Sequence, residues 1–225
     1  MGFKYLTNVP LKQARRDYLN LLIKNGFAPK TECIPVQEAC GRVTAKAVYA
    51  VICAPHYAAS AMDGVALRAE ASFGATETTP VTLTAGQYVL VDTGDPIPDG
   101  CDAVIMVEEI VKNEDSSITI HSAAAPWQHI RQIGEDICAG EMILPSYMKV
   151  TPSAIGAMIA GGVMEMEVIR KPVVGIIPTG DEIILPCSDP RPGDILEFNS
   201  SIFSAMADQW GARTVTYPIV PDKFE

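Results

Sequence analysis

Apolar residues recur at helical spacing in three segments, and each segment is bounded by residues that begin or end helices. Ser, Thr and Asn favour the cap before a helix, Pro its first turn, and Gly the position after its end. The sequence therefore predicts three α-helices. They run from an Asn8 cap to Gly26 with Pro10 in the first turn, from a Thr151 cap to Gly161-Gly162 with Pro152 at the first position, and from an Asn199 or Ser200 cap to Gly211.

Short alternating runs separated by Gly, Pro and Asp turns fill the middle of the chain, from about Pro55 to Leu144. Five or more such strands are typical of a compact β-rich module, a barrel or a sandwich. Because helical segments lie on both sides, we expect this module to be inserted into another domain. The predicted strands are Val81–Leu83, Tyr88–Val91, Ala103–Val107, Ile118–His121 and His129–Ile133.

Extended segments of other kinds flank this module. Residues 31–53 predict a strand, a short helix around Val36–Cys40 and a second extended run. The run Val163–Ile169 alternates, as a half-exposed strand does. Val173–Ile177 is apolar throughout, which predicts a strand covered on both faces, and a helix and a strand over 212–220 complete a βαβ unit. A lone βαβ unit cannot cover a parallel sheet, so we expect another chain or a missing continuation to complete it.

Charge and composition exclude several classes of protein. The formal net charge is −10 and no Lys/Arg cluster occurs, which argues against a nucleic-acid-binding surface. The N-terminus lacks the apolar core of a signal peptide, and the longest apolar stretch, Ala154–Val163, is too short to span a bilayer. The six cysteines include no CxxC pair, which favours reduced thiols. The sequence therefore predicts a cytoplasmic protein without nucleic-acid or membrane partners.

Four loops place a glycine beside an acidic residue between apolar strands. For any one of them a structural turn is the better interpretation, since Asp-Gly and Gly-Asp are common turn residues. Carboxylates in such loops also hold Mg²⁺ with phosphate oxygens, or accept N–H bonds from a heterocycle. The last loop is the strongest candidate because it follows a predicted parallel strand at its carboxyl end, where α/β sheets bind ligands. The loops are Ser60–Gly64, Asp92–Gly100, Ile133–Ile137 and Thr179–Glu182.

Other site chemistries find no support in the residue spacing. The chain lacks the GxGxxG and GxxxxGK[ST] patterns of dinucleotide and P-loop sites. His56, His121 and His129 show no metal or triad spacing, so a structural or surface role is the better interpretation for each. The six cysteines are better explained as small apolar residues than as nucleophiles.

Five segments carry a recognisable set of motifs in order. Residues 60–67 (SAMDGVAL) resemble SAMDGYA, residues 93–104 (TGDPIPDGCDAV) resemble TGAPxPxGxDAV, and residues 130–137 (IRQIGEDI) resemble RxxGEDI. Residues 173–182 resemble a strand with an STGDE loop, and residues 195–199 resemble an (I)xDxN stretch. This order, from about residue 8 to 222, resembles the N-terminal portion of the MoeA-like molybdopterin molybdotransferases, which include the E domain of gephyrin.

The resemblance implies an α+β multidomain fold. A β-rich, barrel-like domain would be inserted into a small α/β linker domain, and an α/β molybdopterin-binding domain would begin after them. The implied layout is an N-terminal helix at 1–27 that docks on the α/β domain, a linker domain at 28–54 and 141–171, the inserted domain at 55–140, and a truncated molybdopterin-binding domain at 172–225.

The resemblance also implies a function in molybdenum cofactor biosynthesis. Such an enzyme takes adenylylated molybdopterin and molybdate as substrates, releases AMP with the help of Mg²⁺, and works with a molybdopterin adenylyltransferase as partner. Homodimers are implied as well. Because the family's glycine loop, lysine segment and C-terminal β-domain do not follow residue 225, we expect the chain alone to be inactive. The alternative function is a non-catalytic dimerisation or scaffolding module, as some animal relatives cluster receptors.

Site residues carry over motif by motif. Asp63, Asp136 and Glu182 match acids of the implied active-site cleft, and we expect them to contact pterin or Mg²⁺, because a carboxylate repels molybdate. The metal-binding set among them is unknown. Val65 stands where the family has Tyr, and Glu197 where Asp is common. The implied substrate-binding residues are Thr93, Gly94, Thr179, Gly180, Asp181 and Asp222.

Overall fold

The structure, a computed structural model, describes residues 8–222, and over this range the chain forms three α-helices and sixteen short strands. The helices are α1 (Leu11–Lys24), α2 (Pro152–Ala160) and α3 (Asn199–Gln209). Single-turn 3₁₀-helices lie at Val36–Glu38, Ala69–Ser72 and Val107–Glu109. The strands are β1 (Thr31–Pro35), β2 (Val48–Tyr49), β3 (Ala59–Ser60), β4 (Gly64–Leu67), β5 (Val81–Leu83), β6 (Tyr88–Val91), β7 (Ala103–Met106), β8 (Ile110–Lys112), β9 (Ile118–Ile120), β10 (Ile130–Arg131), β11 (Met142–Leu144), β12 (Glu165–Ile169), β13 (Val173–Ile176), β14 (Ile183–Ile184), β15 (Ile195–Leu196) and β16 (Arg213–Thr216). This is the α+β class that the sequence predicts.

The described chain divides into two compact units, which we treat separately. The strand-rich unit consists of residues 34–40 and 46–166. The mixed unit consists of residues 8–33, 41–45 and 167–222 of the described range. No helix within residues 8–222 is both long enough and apolar enough to cross a membrane.

Strands β1 and β12 form a two-stranded sheet. Burial alternates along β12 as predicted, because Met166 and Val168 are buried whereas Glu165 is exposed. Met164 precedes the strand and is 54% exposed, so the predicted alternation is wrong at that residue.

A three-stranded antiparallel sheet of order β6-β4-β7 lies at the centre of the strand-rich unit. The sequence pattern does not predict β4, because all four of its residues are buried and the strand shows no alternation. Gly64 begins β4 at a point of close approach, since a Cβ atom there would lie 2.0 Å from the carbonyl oxygen of Ile105. Only glycine fits this position without moving the neighbouring backbone.

A second three-stranded antiparallel sheet, of order β5-β9-β8, contributes to the same core as β4 and β7. Val65 is fully buried in this core, so the residue that replaces the family's Tyr serves packing. Burying one such aliphatic side chain contributes about 1.5–3 kcal/mol. The largest buried side chains of the core are Leu67, Leu83, Ile105, Ile118 and Ile120.

Most strand predictions in this unit are confirmed. Strands β5 and β6 have the predicted bounds, and β7, β9 and β10 are shorter than predicted. Strands β3, β8 and β11 are additional short strands, and β3 pairs with β10 while β2 pairs with β11. The barrel-like closure and the domain boundaries stay predictions.

Helix α2 has the predicted ends. The Thr151 hydroxyl accepts a hydrogen bond from the Ala154 N–H at 3.2 Å, and Pro152 occupies the first helical position. Gly162 has φ +78°, and the N–H of Val163 donates to the carbonyl of Met158 at 2.8 Å. Thr151 thus satisfies a free N–H at the start of the helix, and the left-handed glycine allows the chain to leave its end.

Helix α1 ends as predicted but begins later. The Pro10 carbonyl accepts the first hydrogen bonds, from the N–H groups of Gln13 and Ala14, and Pro10 itself is the cap. The predicted Asn8 cap is therefore wrong, because Asn8 lies two residues outside the first turn. Gly26 has φ +74° and closes the helix as expected. No residue of α1 is buried.

The mixed unit contains the predicted parallel pair of strands, β13 and β16, with α3 packed against both. Gly211, with φ +81°, ends α3 as predicted. The predicted cap at Asn199 or Ser200 is wrong. The Glu197 carboxylate instead reaches forward and accepts a hydrogen bond from the Ser200 N–H at 2.8 Å, so an acid before the helix does the work of a cap.

Strand β13 is exposed, contrary to the prediction that both of its faces are covered. Val173 is 61% exposed and Val174 is 42% exposed. Within the described residues β13 pairs only with β16, and α3 packs against this pair. Two strands and one helix cannot cover both faces of an apolar sheet. The apolar residues of β13 are therefore not all buried by this part of the chain.

Candidate functional site

The carboxylate of Asp63 is held by Thr93, which lies thirty positions further along the chain. Asp63 Oδ1 accepts hydrogen bonds from the Thr93 N–H at 2.6 Å and from the Thr93 hydroxyl at 2.8 Å. The bond from the Thr93 N–H, followed by the bond from its hydroxyl, lowers the pKa of Asp63 below its ordinary value. Asp63 is exposed, and its Oδ2 has no hydrogen-bond partner among residues 8–222. One oxygen is thus fixed and the other is free to bind.

Ser60 joins the two loops that carry this pair. Its N–H donates to the carbonyl of Asp95 at 2.8 Å, and its carbonyl accepts from the N–H of Gly94 at 2.9 Å. The Ser60 hydroxyl donates to the carbonyl of Met62 at 2.6 Å, and Ser60 is fully buried. The small buried serine therefore fixes the position of the predicted residue Gly94 beside the Asp63 loop.

Two further residues shape the site and were not predicted from the sequence. The Asp95 carboxylate accepts from the N–H of Asp92 at 2.9 Å and closes the turn that contains Thr93. The Tyr57 hydroxyl donates to the carbonyl of Gly94 at 3.0 Å. The turn formed by Asp92-Thr-Gly-Asp95 is a signal that the sequence does contain. No local pattern indicates the tyrosine contact, because it joins residues far apart in sequence.

Asp136 lies in a neighbouring loop of the strand-rich unit and is paired with a cation. Its Oδ2 lies 2.6 Å from the nearest guanidinium nitrogen of Arg131, and Glu135 lies 3.6 Å from Arg131 Nε. The hydrogen bond to Asp136 is the main cause that raises the pKa of Arg131. Arg131 itself pairs with Ala59 across strands β10 and β3. Asp136 is therefore partly neutralised, in contrast with Asp63.

A second group of predicted residues meets in the mixed unit. Thr179 forms a parallel bridge with Val220, and the N–H of Gly180 donates to the Val220 carbonyl at 3.1 Å. The N–H of Asp222 then donates to Asp181 Oδ1, also at 3.1 Å. This contact confirms that the end of the described chain lies beside the loop that follows β13.

Gly180 is required in this loop by its backbone and by a neighbour. Its φ of +143° is rarely adopted by other residues. A Cβ atom there would also lie 3.1 Å from each carboxylate oxygen of Glu182. The glycine thus leaves room for the Glu182 carboxylate against the backbone, beside Asp181 and Asp222.

The predicted residues therefore form two groups, one in each unit. The Asp63 group contains Asp63, Thr93 and Gly94, with Asp136 in the adjacent loop. The Asp181 group contains Thr179, Gly180, Asp181, Glu182 and Asp222. In the described part of the chain no three His, Cys, Asp or Glu side chains are placed to hold a metal ion together. Any Mg²⁺ would depend on oxygen atoms of a ligand for the rest of its coordination.

Three cavities of the described chain lie away from both groups. One of about 550 Å³ is lined by residues 26–30 and 169–173, and two of about 540 and 280 Å³ lie around Arg68 and Cys101. None of the predicted site residues lines them. The fixed, exposed carboxylates lie on the loops instead.

The fold and the two groups define an α+β protein whose candidate chemistry rests on acidic loops rather than on a nucleophile or a preformed metal centre. The order of the loop motifs also agrees with a known family. The chain belongs to the MoeA family, since residues 9–162 match the model described as the MoeA N-terminal region (domain I and II).

Individual relatives agree with this membership. The chain is similar to molybdopterin molybdenumtransferase 2 of Mycobacterium tuberculosis, with 34% identity over 198 residues, which cover 81% of this chain and 49% of the relative. The molybdopterin molybdenumtransferase of Haemophilus influenzae is 31% identical over 223 residues, which cover 94% of this chain and 54% of the relative. The chain thus spans about half the length of these curated relatives.

A solved structure shows the same fold. The molybdopterin biosynthesis MoeA protein from Pyrococcus horikoshii OT3 superimposes with a TM-score of 0.80 at 32% sequence identity. The match covers 92% of this chain and 60% of that protein. The α+β architecture is therefore shared over nearly the whole chain.

Proposed function

We propose that this chain takes part in molybdenum cofactor biosynthesis as the N-terminal portion of a molybdopterin molybdotransferase. The reaction would insert molybdenum from molybdate into adenylylated molybdopterin, supplied by a molybdopterin adenylyltransferase, and release AMP. The names of the similar proteins and the family membership support this assignment. The observation that carries it in this chain is the Asp63–Thr93 contact, which joins two separate family motifs into one binding element.

The hydrogen bonds of Asp63 limit the kinds of contact that its carboxylate can make with a ligand. Oδ1 already accepts two hydrogen bonds from Thr93, whereas Oδ2 has no partner in the described chain. A bidentate contact to the pterin edge would use both oxygens equally. A single contact at Oδ2, which would accept a hydrogen bond from one pterin N–H or coordinate Mg²⁺, fits this carboxylate better. The lowered pKa keeps the group ionised for either contact.

A calorimetric titration with adenylylated molybdopterin tests this role of Asp63. We expect Asp63→Asn to weaken binding at least about ten-fold, because an amide loses the charge that attracts the ligand group. Thr93→Val should weaken binding less, since the Thr93 N–H remains. Asp115→Asn is the matched control, because Asp115 is also exposed in the strand-rich unit and accepts an N–H and a hydroxyl bond from one residue, Ser117, but lies outside the four loops. Wild-type affinity in a folded Asp63→Asn protein would overturn the proposal.

We assign the Asp181 group to Mg²⁺. Asp181, Glu182 and Asp222 put several negative charges in one loop region, which would repel phosphate oxygens unless a cation lay between them. Mg²⁺ prefers one or two carboxylates together with phosphate oxygens and water. Mg²⁺ bound there would supply positive charge to the phosphates. The chain's own part is to hold Asp181 through the Asp222 N–H and Glu182 against Gly180.

The dependence of ligand binding on Mg²⁺ tests this assignment. We expect Asp181→Asn to raise the Mg²⁺ concentration that gives half-maximal binding of adenylylated molybdopterin. Asp189→Asn, which changes an exposed acid of the same unit outside the loop, should leave that concentration unchanged. An unchanged Mg²⁺ requirement in Asp181→Asn would argue that the loop is only a turn.

Exposed apolar residues support the second candidate function, an assembly or scaffolding role. Phe203 is 53% exposed and Trp210 is 76% exposed, on or next to the helix that packs on β13 and β16. Large apolar side chains exposed on a helix and on the strands that it packs against are typical of surfaces that another polypeptide covers. We propose that the mixed unit contributes to a homodimer, with or without catalysis.

A further inference from the structure

Two cysteines that are far apart in sequence lie on neighbouring extended segments of the strand-rich unit. Ala54 and Ile137 form an antiparallel bridge, and each N–H donates to the other's carbonyl, at 2.8 and 3.1 Å. One residue further along this pairing, Cys53 stands beside Cys138. Positions next to such a doubly bonded pair bring their Cα atoms to within about 4.5 Å of each other.

The two sulfur atoms lie beside the same glycine, Gly134. A Cβ atom at Gly134 would lie 3.1 Å from Cys138 Sγ and 3.5 Å from Cys53 Sγ. The Cys138 thiol donates to the Gly134 carbonyl at 3.4 Å, and the Ala139 N–H donates to Cys53 Sγ at 3.4 Å. Gly134 has φ +76°, so the turn and the space for two sulfurs depend on the same residue.

The two thiols differ in their exposure to solvent. Cys138 is exposed, whereas Cys53 is half-buried, and both are free thiols. A reagent from solution therefore reaches Cys138 more easily than Cys53. The Cα spacing expected for this pairing falls at the lower end of the range for disulfides, about 4.4–6.8 Å. The pair can form a bond without a large movement of the backbone.

We propose that Cys53 and Cys138 are a redox-active dithiol that closes to an intramolecular disulfide by exchange with a small-molecule disulfide. The Cys138 thiolate attacks the small disulfide, forms a mixed disulfide and expels one thiolate. The Cys53 thiolate then attacks Cys138 Sγ and expels the second thiolate. The two protein thiols lose two electrons and two protons, and the small disulfide becomes two thiols.

The disulfide would fasten one end of the loop that holds Asp136. Asp136 lies between Gly134 and Cys138, its N–H donates to the Ala54 carbonyl, and its side chain pairs with Arg131. A cross-link from residue 53 to residue 138 closes a loop of about 85 residues, and disulfides that close long loops restrict the unfolded chain most. The oxidised protein should therefore unfold at a higher temperature than the reduced protein.

Incubation with excess oxidised glutathione, followed by thiol titration and tryptic peptide mapping, tests the proposal. We expect the peptide containing Cys53 to be joined to the peptide containing Cys138, and the melting temperature to rise. In Cys53→Ser, glutathione should remain attached to Cys138, because no second thiol expels it. Cys187→Ser, an exposed cysteine of the other unit, should form the same cross-link as the wild type.

Two results would overturn the proposal. One is a wild-type protein that carries glutathione on its exposed cysteines and yields no peptide pair joined through Cys53 and Cys138. The other is a Cys53→Ser protein from which glutathione leaves Cys138 as readily as it does from the wild type.

Discussion

At the scale of single residues, the candidate site depends on contacts between loops. The sequence identifies each loop but does not show which loops are in contact. Asp63 and Thr93 are each recognisable within a motif, yet each motif alone is better explained by a turn. Their hydrogen bonds show that the two loops are in contact, which neither motif alone predicts. Arg131 shows the limit most clearly, since its positive charge lies beside the carboxylate of the predicted acid Asp136 and offsets it.

The lowered pKa of Asp63 gives the first prediction. In a carboxyl-carbon NMR titration the midpoint for Asp63 should lie below the ordinary value of 3.8. Thr93→Val should raise this midpoint only part of the way, because the Thr93 N–H, the larger cause of the shift, remains. A depressed folded-state pKa stabilises the protein above the unfolded value, about 3.9, and that stabilisation is lost as the pH falls through the folded pKa.

A matched substitution separates the loss of the Thr93 hydroxyl bond from a general effect of replacing a threonine with valine. Thr78→Val alters an exposed threonine outside the Asp63 group and should leave the Asp63 midpoint where it is in the wild type. If Thr93→Val moves the midpoint no more than Thr78→Val does, the hydroxyl contact is absent in solution.

At the scale of elements, the C-terminal ends of the helices are more predictable than their starts. One residue type is required after the end of a helix, whereas several residue types can serve before its start. Gly26, Gly162 and Gly211 all have positive φ after a helix, as the sequence predicts. Glycine is nearly the only residue that adopts this conformation without strain. Helix starts have several polar candidates, and a cap can lie one or two residues away or, as with Glu197, reach forward from before the helix.

Strand β4 gives the prediction at this scale. Gly64→Ala should lower the free energy of unfolding by about 3 kcal/mol, because the new methyl group would overlap the Ile105 carbonyl in the central sheet. Gly86→Ala is the control, since a Cβ atom at Gly86 has nothing within 4 Å. That change should alter stability by less than about 1 kcal/mol. Urea unfolding of both variants checks this, and equal effects would contradict the close approach of β4 and β7.

At the scale of the whole molecule, the order of the motifs is enough to predict the family, because order over two hundred residues is far more specific than any one loop. Which polypeptide covers the apolar strand β13 of the mixed unit is not predictable in the same way. An all-apolar strand implies that something covers it, but not which polypeptide does so. In this chain Val173 and Val174 are exposed, so the prediction that both faces of this strand are covered is wrong for the described residues.

The exposed apolar surface predicts self-association. Light scattering of the purified chain should give a mass about twice the 24.1 kDa of one copy at micromolar concentration. Phe203→Ser should shift the particle toward the mass of one copy, because it removes an exposed apolar side chain from α3. Val111→Ser, which changes an exposed apolar residue of the strand-rich unit, is the control. A single-copy mass at all concentrations would argue against the dimer.

The central claim is that the Asp63 group binds the adenylylated pterin, and amide NMR of the wild-type chain tests it most directly. On addition of adenylylated molybdopterin with Mg²⁺, we predict that the signals of Asp63, Thr93 and Gly94 shift together and saturate with one dissociation constant. Signals of the β5–β9 pair, whose residues belong to neither group, should stay unchanged. Shifts confined to other regions, with the Asp63 group unaffected at saturation, would contradict the account.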